Sequence, residues 1–210
     1  MSDIINATFK LNTDEVAQDK PTSEALFSKV GANINALIDR EHRIVSQLFT
    51  SNGTWTCPAG VTRAIVHGVG GGGGGGGAAG GLTGSNGANG TNTTFNGSVV
   101  AEGGYNGYGG LVGSAAPFNA ANPGVTFNGS SYGIGGNGGI KSSSSYVGTA
   151  GTCGFYGIRE FTVVPATGYA VVIGTGGAGG ATNTGGGTGG IGGAGTNGAC
   201  LVTWIEVNDP

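Results

Sequence analysis

The chain has 210 residues, a net charge of −3, a pI near 5.2 and 50 glycines, with charged side chains making up only 9% of it. That length allows one or two domains, and the acidic balance offers no basic surface for nucleic acid. No stretch approaches the ~18 consecutive apolar residues of a membrane span, and Met1-Ser2-Asp3-Ile4-Ile5-Asn6 lacks a basic region followed by an apolar one, so neither membrane insertion nor Sec export is expected.

Residues 1–20 scatter Ile4, Ile5, Phe9 and Leu11 among polar residues and read as a docking arm that orders on a larger assembly. Asp19-Lys20-Pro21-Thr22-Ser23 then reads as a turn and helix start, with Thr22 or Ser23 as cap and Glu24 in the first turn. An α-helix is predicted from there to about Leu48, which makes 21–50 a helical oligomerisation or attachment segment. Phe27, Val30, Ile34, Leu37, Ile44 and Leu48 recur in steps of three and four, Glu41 interrupts the seam, and Ile38 and Val45 widen it. Such a stripe must be buried. It does so either in a parallel bundle of identical chains, three favoured over two, or against the glycine-rich part of its own chain.

Charge marks the boundary. Residues 1–50 hold seven acidic and five basic side chains, whereas residues 51–200 hold only Arg63, Glu102, Lys141, Arg159 and Glu160. The division falls near Phe49 to Gly53, and residues 51–210 form the second part.

That part opens with Thr54-Trp55-Thr56-Cys57-Pro58-Ala59-Gly60, followed by β-rich Val61 to Val69 running straight into Gly70 to Gly77. All of the glycines except Gly31 lie between Gly53 and Gly198, and they recur every third residue. The register runs through Gly81, Gly84, Gly87 and Gly90; through Gly104, Gly107, Gly110 and Gly113; through Gly148, Gly151, Gly154 and Gly157; and through Gly186, Gly189, Gly192, Gly195 and Gly198. A flexible linker has no register. Period three matches a left-handed polyproline II type helix, which has no internal hydrogen bonds and turns every N–H and C=O sideways. An all-glycine face lets a second such helix lie close enough to pair with those groups, so a lattice of polyglycine II helices is predicted. Ordering a residue costs about 1–2 kcal/mol of backbone entropy against about 1 kcal/mol for a net hydrogen bond, so apolar packing must close the deficit.

The β-rich pieces supply that packing. After Val61–Val69 come Phe161 to Pro165, a turn at Ala166-Thr167-Gly168 and Tyr169 to Ile173, then Ala199 to Val207. Thr94-Phe95-Asn96-Gly97-Ser98 recurs 32 residues later as Thr126-Phe127-Asn128-Gly129-Ser130, which reads as two related turn-and-helix units with Phe95 and Phe127 as packing anchors.

Catalytic signals are absent. Glu102, Glu160 and His67 are far apart with no motif around them, and a two-carboxylate glycosidase requires Glu102 and Glu160 to meet. Gly-x-Gly-x-x-Gly matches carry no information in so glycine-rich a chain, and Lys141 follows Ile140 and not glycine. Cys57, Cys153 and Cys200 form no Cys-x-x-Cys pair and read as reduced thiols. The expectation is no enzyme, no cofactor and no metal. Tyr105, Tyr108, Phe118, Tyr132, Tyr146, Phe155 and Tyr156 sit among Ser, Asn, Gly and Ala, which is the chemistry of loop paratopes: large contact area at low entropy cost, beside adaptable hydrogen bonding. They read either as a receptor-binding surface or as caps on the ends of the lattice.

Taken together, Gly53 to Thr62 leading by a strand into polyglycine, Thr94 to Ser98 ahead of Ala101-Glu102-Gly103-Gly104, Val164-Pro165 through Tyr169 to Gly177, and Gly195 to Trp204 resemble the glycine-rich tail-fibre tip proteins, or receptor-binding adhesins, of tailed bacteriophages. The stretch from Asp19 to Asn35 is similar to the helical leaders of small phage tail proteins. The resemblance implies a polyglycine II sandwich flanked by short β-strands, with loops within 101–122 and 130–158 gripping a bacterial outer-membrane protein or surface glycan. It implies a virion component assembled in the host cytoplasm, bound to other tail or baseplate proteins. The helical leader departs from the single-copy adhesins and points to a homotrimer. A structural tail or baseplate decoration protein is the alternative, and an ice-binding protein on the same lattice is a third class.

Overall fold

The structure is a computed structural model that describes residues 28–32, 42–78, 84–110, 124–140, 147–182 and 189–207. The chain divides into two units, one of residues 1–43 with 207–210 and one of residues 44–206. In the first unit residues 28–32 are helical and Val30 is half-buried. Phe27, Ile34 and Leu37, like the arm over residues 1–20, lie outside the described residues.

The helix expected to reach Leu48 does not, because His42–Phe49 is strand β1. Ile44 and Leu48 are four residues apart, a spacing that one helix face and one strand face satisfy alike. β-Branched Ile44 and Val45 favour the extended chain. Period two then sends Val45 and Phe49 against the core and leaves Ile44 74% exposed, so neither Ile44 nor Leu48 belongs to a helical seam.

The described body is mostly β, with antiparallel sheets. Its other strands are β2 (Gly53–Thr56), β3 (Arg63–Val69), β4 (Thr93–Phe95), β5 (Ser98–Ala101), β6 (Val125–Phe127), β7 (Ser130–Tyr132), β8 (Tyr156–Thr162), β9 (Gly168–Val172) and β10 (Ala199–Val207). They form one sheet in the order β1-β10-β3-β8, a second in the order β2-β9-β4-β5, and the hairpin β6-β7. Of the β-rich pieces read from the sequence, Val61 to Val69 contains β3, Tyr169 to Ile173 matches β9 and Ala199 to Val207 is β10, whereas Phe161 to Pro165 shares only Phe161 and Thr162 with β8. Alternation along β3 buries Ala64 and Val66 and exposes Ile65; along β9 it buries Tyr169 and Val171. Val66, Cys200, Val202 and Trp204 of the first sheet meet Trp55, Phe95, Tyr169 and Val171 of the second in one apolar core. Phe95 is fully buried, stacked on Tyr169 at 5.5 Å and 4.8 Å from Phe161.

The internal repeat is two hairpins with the same turn. Asn96 and Gly97 have φ of 48° and 76°, and Asn128 and Gly129 have φ of 48° and 80°, the two left-handed positions of a type I′ turn, for which Asn-Gly is the preferred pair. Phe127 is half-buried, 6.2 Å from Tyr132.

Residues 70–78 leave β3 in neither helix nor strand, and their N–H groups choose partners with a strict period of three. Gly70, Gly73 and Gly76 donate to Phe155, Thr152 and Thr149; Gly71, Gly74 and Gly77 donate to Thr91, Ala88 and Ser85; Gly72, Gly75 and Ala78 donate to Thr196, Gly193 and Gly190. Three further segments donate back: Gly104, Gly107 and Gly110 to Gly71, Gly74 and Gly77; Gly136 and Gly139 to Gly73 and Gly76; Gly177 and Gly180 to Gly72 and Gly75. One glycine segment is thus surrounded by six. Round the ring these run 84–92, 103–110, 147–155, 133–140, 189–198 and 174–182, alternating in direction, each bonded to the next. From Gly70 to Gly77 the centre tolerates no side chain: a Cβ on Gly74 would be driven into the Ala178 carbonyl.

Each of the seven segments joins the β structure at the same end. The centre leaves β3, residues 84–92 lead into β4, and residues 103–110 leave β5; 133–140 leave β7, 147–155 enter β8, 174–182 leave β9 and 189–198 enter β10. The sheets therefore set the register in which the glycines meet.

Candidate functional site

Because each outer segment turns one residue in three toward the centre, the other two residues of each triplet line the seams between neighbouring segments, and each seam has its own chemistry. Along the seam of 103–110 with 147–155 the facing rows are Glu102, Tyr105 and Tyr108 against Phe155, Thr152 and Thr149. Thr152 donates its backbone N–H to the Tyr105 carbonyl at 2.9 Å, and its hydroxyl accepts the Tyr105 N–H at 2.7 Å. Thr149 does the same for Tyr108, at 2.9 and 2.7 Å. On the other side Gly104 and Gly107 donate to the centre at 2.8 and 2.7 Å. The backbone beneath both tyrosines is therefore held from two directions, while the side chains stay out: Tyr105 is 57% exposed and Tyr108 68%. Phe155, also exposed, meets the Tyr105 ring edge-on at 5.8 Å.

On the next seam, between 84–92 and 103–110, the exposed side chains Asn86, Asn89 and Asn92 form a ladder of their own. Their Oδ1 atoms accept the N–H groups of Gly109, Asn106 and Gly103 at 2.8, 2.8 and 2.9 Å. Side-chain oxygens at three-residue spacing thus satisfy the outward backbone donors that no further glycine segment reaches. Thr196 and Thr91 do likewise for Ile134 and Thr175.

A second aromatic group lies where the segments meet the sheets. Tyr156 at the start of β8 has its hydroxyl 2.7 Å from His67 Nδ1 and its ring 6.4 Å from Phe127, which also contacts Tyr132.

Of the aromatic residues singled out from the sequence, Tyr105, Tyr108 and Phe155 lie along one seam, and Tyr132 and Tyr156 both contact Phe127, with Tyr156 also against His67. Phe118 and Tyr146 lie outside the described residues. Tyr105 and Tyr108 do not sit in loops between glycine runs; they belong to the glycine segment itself. The residues that pin them, Thr149 and Thr152, and the ladder Asn86, Asn89 and Asn92, went unread, although their spacing of three was the signal already followed for glycine.

The carboxylates do not assemble. Glu160 forms an exposed ion pair with Arg63 at 3.0 Å. Glu102 bonds through its carbonyl to Phe155, which is five residues, or roughly 16 Å, away from Glu160 along β8. Among the described residues no group of His, Cys, Asp and Glu is placed to hold a metal ion. Cys57, Cys153 and Cys200 are free thiols, Cys57 and Cys200 within the core. No protein-family model matches the chain, and no curated protein is significantly similar to it.

Proposed function

We propose that the seven glycine segments between residues 70 and 198 form a bundle of polyglycine II helices and that the chain is a noncovalent receptor-binding protein of a phage tail fibre, directed at a bacterial outer-membrane protein or surface glycan. The bundle reading is supported by hydrogen bonds that recur every third residue toward six neighbours, the pattern of a helix with three residues per turn and no bonds of its own. The binding reading rests on one observation: Tyr105 and Tyr108 stand exposed on a backbone fixed from both sides, so their contact area is offered with little ordering left to be done on binding. No catalytic step is assigned. The protein belongs, on this reading, to the virion, and residues 21–41 join copies of the chain in threes.

A structural tail or baseplate component that never touches a cell is the second reading. It is favoured by the outer face of the first sheet, where Ile44, Ile65, Ile158 and Ile205 are each about half exposed or more, a surface suited to seating on another protein.

Binding of the fluorescently labelled protein to a panel of bacterial strains separates the two. Strain-selective labelling that Tyr105→Ala with Tyr108→Ala abolishes supports the receptor-binding reading. Labelling of no strain by folded protein moves the assignment to the structural one.

A further inference from the structure

The two seams that flank residues 103–110 are periodic, and that periodicity bears on what they bind. Tyr105 and Tyr108 are one triplet apart, about 9 Å at the rise of a three-residue helix, and Asn86, Asn89 and Asn92 repeat at the same interval on the adjoining seam. A folded protein receptor presents irregular relief, and a surface with a regular repeat gains little from it. A linear polymer with its own repeat meets equivalent groups again and again. The groups also suit one polymer class. A pyranose ring carries C–H bonds on one face, which are drawn to the negative face of an aromatic ring, and hydroxyls round its rim. The tyrosines supply the first contact. The asparagines supply the second: with each Oδ1 held by a backbone N–H, the amide plane is set and the exposed side chain keeps its Nδ2 donors for a ligand. Charge narrows the class further, since Glu102 is the one charged residue among the described residues of these two seams. A uronate- or sialate-bearing polymer would meet a carboxylate and no cation.

We infer that the flank formed by Tyr105, Tyr108 and the Asn86–Asn89–Asn92 ladder binds an uncharged linear polysaccharide lying along the glycine segment. This inference rests on the receptor-binding reading and names its ligand. It places recognition on the side of the bundle, on residues carried by the glycine segments themselves.

The test uses the labelled full chain and the strains it binds. Cells are treated either with periodate, which cleaves vicinal diols of surface glycans, or with protease. Neutral O-polysaccharide purified from a bound strain is immobilised, with polysialic acid as the acidic comparison. Expected are loss of cell binding after periodate, its survival after protease, and retention on the neutral polymer alone. Tyr105→Ala and Tyr108→Ala each weaken that retention about tenfold, and Asn89→Ala weakens it less. Tyr108→Phe keeps the stacking face and retains binding, and unchanged melting temperatures separate lost contact from lost fold. If the alanine variants bind cells as the parent does, or if protease removes binding while periodate spares it, the glycan flank is wrong and the receptor-binding reading stands. If the parent labels no strain, the receptor-binding reading fails and this inference fails with it.

Discussion

The buried Thr93 hydroxyl donates to the Val69 carbonyl at 2.6 Å and accepts the Gly174 N–H at 2.9 Å. One oxygen thereby ties together the end of β3, the start of β4 and the chain leaving β9, where three glycine segments join the sheets. Thr93→Val preserves the shape and removes both bonds. A loss of about 1–3 kcal/mol is expected, seen as a lower denaturant midpoint at unchanged slope, and Thr93→Ser should recover most of it.

Two glycines of similar appearance should respond very differently to alanine. At Gly74 the new methyl group would collide with the Ala178 and Gly177 carbonyls, which are backbone and cannot turn aside. Gly74→Ala is expected to cost more than about 4 kcal/mol or to prevent folding. At Gly97 there is open space, and the cost is confined to a φ of 76°. Gly97→Ala should lose only about 1 kcal/mol and fold normally by circular dichroism. Equal effects at the two sites would contradict the close packing of the central segment.

Burial in the sandwich core pushes the Cys200 thiol from 9.0 up to about 12, and burial also raises Cys57. The folded state holds its proton where the unfolded chain has released it, so the stabilisation is complete below pH 9 and is lost as pH rises toward 12. At about 1.4 kcal/mol per pH unit the effect of Cys200 approaches 4 kcal/mol. Urea titrations between pH 8 and about pH 11 should show a steeper alkaline decline in the parent than in Cys200→Ala, and parallel declines would refute the assignment.

Self-association through residues 21–41 predicts that the full chain sediments as a trimer. Ile34→Asp together with Leu37→Asp should place charge in the proposed seam and give monomers, with the far-ultraviolet spectrum of the β body unchanged. A monomeric parent would remove the proposal.

Regular, local signals were legible. The recurrence of Thr-Phe-Asn-Gly-Ser at residues 94–98 and 126–130 was read as two related turn-and-helix units, and both turns place Asn and Gly in two consecutive left-handed positions, whereas the same dipeptide at residues 86–87 and 89–90 lies within a glycine segment. The glycines read in steps of three are, where described, largely those that face the centre: Gly84, Gly87 and Gly90, Gly104, Gly107 and Gly110, Gly148, Gly151 and Gly154, Gly192 and Gly195. Only a missing Cβ permits that approach, so the requirement is written directly in residue type. Residues 42–49 were misread because a spacing of four fits helix and strand alike, and only pairing with β10 decides between them.

By itself the sequence determined a glycine-rich body with a three-residue repeat, most of its β-rich pieces and the recurrence of Thr-Phe-Asn-Gly-Ser. Each is a matter of residue type at fixed local spacing. Which segment lies at the centre, which neighbours which round the ring, and that Tyr105 meets Phe155 while Tyr156 meets His67 were decided by tertiary structure alone. All the glycine triplets have nearly the same local preference, so nothing in one segment names its partner. The partner is chosen by the strands that each segment joins, whose apolar faces pack in one order and carry the glycines into register with them.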